Sequence, residues 1–95
     1  MQANEAILIA MDLLSEEFPG NDTMDNRLTI QDLAFENIRL ADEDDLKLRR
    51  QIEFNIATIE TELIVDNAIH QAEVVNFAKK ISMKALTLFI QGAII

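Results

Sequence analysis

Ninety-five residues with 49% apolar side chains make one domain with a modest core, too hydrophobic to stay disordered. The chain carries a net charge of −9, with five Phe and no Trp, Tyr or Cys, so the core is aliphatic and no disulfide staples it. A cysteine-free chain of this length fits a reducing cytoplasm better than secretion.

The charge is uneven. Residues 1–46 hold twelve acids against Arg27 and Arg39, a net −10, whereas residues 47–95 hold five acids against six bases, a net +1. An acidic front half is repelled by phosphate backbones and by anionic lipid, which argues against nucleic-acid and membrane binding. A protein with a basic surface is the complementary partner.

Only Pro19-Gly20 forms a strong breaker pair, and the next glycine is Gly92. Valine is scarce, so helix is the expectation throughout. The first segment reads as a helix from Asn4, as N-cap, to Phe18. Ile7, Ala10, Met11, Leu14 and Phe18 recur at three- and four-residue steps, and Pro19 ends the run. A polar loop is expected over 20–26. The second helix is expected from Ile30 to about Leu40, with Thr29-x-x-Asp32 capping its start and Ile30, Leu33, Ala34 and Ile38 inward.

The third segment opens on Asp42-Glu43-Asp44-Asp45, a run of acids suited to the positive end of a helix, with Asp42 placed to cap it. Its stripe is Leu48, Ile52, Ile56, Ile59 and Leu63, a coiled-coil-like seam. A fourth helix is expected from Asn67 to Leu88 or beyond. Its inner side is Ile69, Ala72, Val75, Ala78 or Lys79, Ile81, Ala85 and Leu88 or Phe89. Asp66-Asn67 is the only bend signal between these segments. The alternative is one long helix over 42–90, which favours a dimer or filament.

Chemical motifs are few. His70 is the single histidine, expected at a helix surface, and the acids at 42–45 lack the spacing and glycine of a calcium loop, so no metal site is expected. Ser15 and Ser82 have no glycine-bearing elbow, and two distant glycines make no phosphate loop. The expectation is a non-enzyme without cofactor. Lys79, Lys80 and Lys84 share one helical side, as a solvated face or a contact for phosphate or a partner. Leu86, Leu88, Phe89, Ile90, Ile94 and Ile95 are apolar nearly all round, suiting either the centre of a bundle or an interface with another copy or a partner. The apolar run 85–95 is shorter than the about 20 residues of a membrane span. The first residues lack the positive charges of a secretory leader.

One stretch resembles a known family. Leu28-Thr-Ile-Gln-Asp-Leu-Ala-Phe-Glu-Asn-Ile38 is similar to the Asp-Leu-Gly-x-Asp-Ser-Leu region of acyl carrier proteins. Glu53-Phe54-Asn55-Ile56 is similar to the Glu-Phe-Gly-Ile that ends their second helix, and Val74-Val75-Asn76-Phe77 to their last helix. The likeness covers roughly residues 5–81. Asp32 and Leu33 match outright and Ile38 conservatively. The family's glycine falls on Ala34, its acid on Glu36 and its modified serine on Asn37, whose amide cannot carry phosphopantetheine. The stretch from Asn37 to Phe54 is also about three residues longer than in the family. The resemblance implies a helical bundle that has lost the carrier site. The acids at 42–45 would then act as the family's recognition helix does, on basic partner surfaces.

The sequence thus predicts an all-α single domain over residues 1–95, a three- or four-helix bundle with 42–63 and 67–88 as its principal antiparallel pair. Its expected function is a non-catalytic acidic protein-interaction module. The partner-binding candidates are Asp42, Glu43, Asp44, Asp45, Phe89, Ile90 and Ile94. The alternative is a structural subunit that self-associates, as a homodimer, through its C-terminal helices.

Overall fold

The computed structural model describes residues 1–17, 24–69 and 71–94, and of residues 93 and 94 the helical backbone alone. It has four helices, α1 (Ala3–Leu13), α2 (Met24–Asp42), α3 (Leu46–Asp66) and α4 (Gln71–Ile94), with a short 3-10 turn at Ser15–Glu17 after α1. No strand occurs among the described residues, so the all-α expectation holds with four helices rather than three.

Helices consecutive in the chain run antiparallel, in an up-down order. Asn26 near the start of α2 meets Asn67 at the end of α3, while Arg49 at the start of α3 reaches Leu40 near the end of α2. Lys80 of α4 pairs with Glu17 just after α1, and Met1 lies against Gly92. The helices form a zigzag: α1 packs on α4, α4 on α2, and α2 on α3. The molecule is accordingly flat, 37 × 30 × 17 Å.

This arrangement corrects the expected principal pair. The α3–α4 contact is smaller than those of α2 with α4 and with α3. Small side chains explain it: Ala34 of α2 and Ala78 and Ala85 of α4 are fully buried, as are Ala6 and Ala10 of α1. Alanine at a crossing lets two helix axes come closer than the larger side chains of α3 allow. Ile30, Leu33, Ile38, Ile81, Phe77 and Leu63 fill the space between.

Helix boundaries differ from expectation in instructive ways. α1 begins at Ala3 with Gln2 in the N-cap position and no side-chain cap, and it ends at Leu13, where the Leu14 amide donates to the Ala10 carbonyl. Phe18 and Pro19, the expected end, lie outside the described residues. α2 starts at Met24, not Ile30, so Met24 to Asn26 are helical rather than loop. Thr29 is no cap. Its hydroxyl donates to the Asp25 carbonyl 2.9 Å away, the back-bond of a threonine inside a helix.

α3 and α4 are separate helices, with the bend at Asn67–Ile69. That turn resets the phase of α4. Its buried row is Val74, Phe77, Ala78, Ile81 and Ala85, while Ile69 is 90% exposed and Ala72 also faces solvent. Asn67 holds the turn in place. Its amide and that of Asn26 exchange two hydrogen bonds of 2.8 Å, and Asn67 Nδ2 also donates to the Leu63 carbonyl. Both asparagines are buried. A buried amide pair of this kind fixes register, because any slip leaves polar atoms without partners.

Candidate functional site

The acidic run at 42–45 forms the corner between α2 and α3. Asp42 ends α2 instead of starting the next helix, and Asp45 is the N-cap of α3. Asp45 Oδ1 accepts from the amides of Lys47 (2.9 Å) and Leu48 (3.1 Å), satisfying donors that a helix start leaves open. Glu43 Oε1 accepts from the Asp45 amide at 3.1 Å. Arg49 closes the other side: its Nη1 donates to the carbonyls of Leu40 (2.8 Å) and Glu43 (2.7 Å), covering the open end of α2. Asp42 lies at the negative end of a helix dipole, where an acid is unfavourable and this guanidinium compensates. Glu43 and Asp45 therefore act locally, whereas Asp42 and Asp44 point to solvent.

The apolar C-terminal stretch is one-sided. Leu86, Leu88 and Phe89 are partly buried against the core, and Ile90 is half exposed. The side chain of Ile94, and all of Ile95, lie outside the described residues. Gly92 lets the chain start approach: a Cβ there would fall 2.6 Å from Met1 Cβ.

A second surface combines residues that the sequence does not single out. Between α1 and α2 a groove of about 450 Å³ is lined by Asn4, Ile7, Leu8, Gln31, Asp32 and Phe35. Between α2 and α3 a groove of about 320 Å³ is lined by Asp32, Phe35, Glu36, Phe54, Asn55, Thr58 and Ile59. The two share Asp32 and Phe35, which stand on the outer ridge of α2. Phe54 is 68% exposed, Leu8 57% and Phe35 38%. The sequence does carry a signal for them. Phe35 lies off the buried row Ile30, Leu33, Ala34, Ile38, and Phe54 off the stripe Ile52, Ile56, Ile59, Leu63. A large aromatic out of phase with its own helix's core stripe must face water or a partner.

The carrier-like motif lies within helices. Asp32 is exposed, Leu33 and Ile38 are buried, and Asn37 is half-buried inside α2, donating to the Leu33 carbonyl at 2.9 Å. Glu53 to Ile56 are in the middle of α3. Asn37 lines a shallow cleft with Glu60, Lys79, Ser82, Met83 and Leu86. Ser82 is buried, its hydroxyl donating to the Ala78 carbonyl. Lys79, Lys80 and Lys84 are all exposed, and Lys80 forms an ion pair with Glu17. His70 lies outside the described residues. Among the described residues no group of three or more acidic, His or Cys side chains is placed to hold a metal, and no helix is long and apolar enough to cross a membrane.

The chain matches no protein family, no curated protein and no solved structure to which it was compared.

Proposed function

We propose that this chain is a non-catalytic protein-interaction module that engages a basic surface of another protein, in the cytoplasm and without cofactor. One observation carries the reading: the net −10 of residues 1–46, with Asp12, Glu16, Glu17, Asp25, Asp32, Asp42, Asp44 and Asp45 all exposed. Opposite charge on a partner speeds encounter and sets orientation, and the same field disfavours nucleic acid and anionic lipid. An acyl-carrier-like chain without its phosphopantetheine site is one form of this proposal, resting on the motif around Asp32, Leu33 and Ile38.

The test is charge reversal at the two corner acids without a capping role. Asp42→Lys with Asp44→Lys is expected to weaken binding to a basic protein captured with the chain from its own source about tenfold at low salt, with the difference shrinking as salt is raised. Unchanged affinity and salt dependence would overturn the acidic reading.

A second reading is an assembly subunit that pairs with its own copy. The exposed Leu48 on α3 and Ile90 on α4 favour it, while Ile52 and Leu63 of the expected seam are already buried within the chain. A concentration-independent monomer by sedimentation would remove it.

A further inference from the structure

We propose that the face formed by α1, α2 and α3 is the docking site for a cationic amphipathic helix of the partner, seated across the outer ridge of α2. This inference rests on the reading of the chain as a binder of basic proteins and locates the site away from the 42–45 corner.

Shape is the first argument. The two grooves flank one ridge and are continuous through Asp32 and Phe35. Leu28, 51% exposed, extends the ridge by two turns toward the start of α2. From Leu28 to Phe35 the helix rises about 10 Å, so the apolar anchors span two turns. A helical ligand reads such a surface with side chains spaced i, i+3 or i+4, and i+7.

Charge is the second argument and selects the occupant. The described residues lining both grooves include two acids, Asp32 and Glu36, and no base. Of the two bases on the same helix, Arg27 is half-buried one turn before Gln31, and Arg39 donates two hydrogen bonds of 2.9 and 3.1 Å to Glu36. Asp32, exposed and central to both grooves, has no counter-ion among the described residues. Arg50 stands one turn before Phe54, at the far end of the face. A ligand helix with leucine-type anchors and flanking lysines or arginines meets both features: its apolar side covers Leu8, Phe35 and Phe54, and a cation reaches Asp32. A second copy is a poorer occupant, since each copy carries −9 overall.

The experiment uses the full chain, isotopically labelled, titrated by NMR with a designed helical peptide bearing leucines on one face and lysines on the other. A control peptide keeps the lysines and replaces the leucines with glutamine. The expected result is shift changes centred on Leu8, Asp32, Phe35 and Phe54, with the control binding at least about tenfold more weakly. Phe54→Ala is expected to weaken the leucine peptide about tenfold while leaving the rest of the spectrum folded. Asp32→Asn is expected to weaken it at low salt and have little effect at high salt. Equal binding of the two peptides, or shifts confined to 42–45, would overturn the groove and leave the acidic reading standing. Absence of binding by either peptide would overturn both. Broadening of the same residues with protein concentration, in the absence of peptide, would assign the face to a second copy and overturn the proposed occupant.

Discussion

α2 and α3 are nearly equal in length, 19 and 21 residues, yet they stand in opposite relation to the core. α2 buries Asn26, Ile30, Leu33, Ala34 and Ile38 and lies between two neighbours. α3 fully buries only Ile52 and Leu63, with Ile56 and Ile59 half covered. What α3 lacks in apolar contact it has in polar fastenings at both ends. Asp45 caps its start while Arg49 joins it to the end of α2, and the Asn26–Asn67 pair joins its other end to the start of α2. The difference shows how a helix can be fixed in register without being central. It also leaves its outer aromatic, Phe54, available beside the α2 ridge.

Mutation can break or sharpen this contrast. The largest effect is expected for Leu33→Ala, which opens a cavity in the shared core and lowers stability by about 3 kcal/mol in chemical denaturation. Ile59→Ala removes a half-buried side chain of α3 and is expected to cost about 1 kcal/mol. Comparable losses at the two positions would erase the distinction between the helices.

Next comes Asn67→Ala, which removes both amide–amide hydrogen bonds from a buried site and is expected to cost about 2 kcal/mol. A double-mutant cycle with Asn26→Ala is expected to show that most of the loss is shared between them. Purely additive effects would mean the pair does not couple α2 to α3. Asp45→Ala removes both cap bonds of α3 and is expected to cost about 1 kcal/mol, with exchange protection lost first over Leu46–Arg50. Lys80→Ala should matter least. The Glu17–Lys80 pair is exposed on both sides, so a change of roughly 0.5 kcal/mol or less is expected, fading with salt.

Much of this architecture is legible in the chain. Helical periodicity finds the buried rows of α1 and α2, and the acids at 42–45 mark a true boundary. The register of that boundary is not legible, because any of four consecutive acids can serve as a cap and only the path of the chain selects Asp45. Thr29 misleads for a related reason: the same hydroxyl can cap a helix or bond back within one. The Asn26–Asn67 pair spans 41 residues, and nothing local distinguishes either amide from a surface asparagine. Which helix lies at the centre depends on where the alanines of different helices meet, a tertiary property that periodicity within one helix does not encode. The Phe35–Phe54 face has a faint local signal, an aromatic out of phase in each of two helices, but their neighbourhood exists only once α2 and α3 are paired.

The central claim is that α3, which gives only Leu63 to the shared buried cluster, is held more by the polar contacts at its ends than by its apolar face. Native-state hydrogen exchange across a denaturant series tests this most directly, since it reads the opening free energy of each amide. The account predicts that amides of α3 from Gln51 to Glu62 exchange through a partial opening, well below the free energy of global unfolding. Those around Leu33 and Ile81 are predicted to exchange only when the whole molecule unfolds. A single shared opening free energy for all four helices would contradict it.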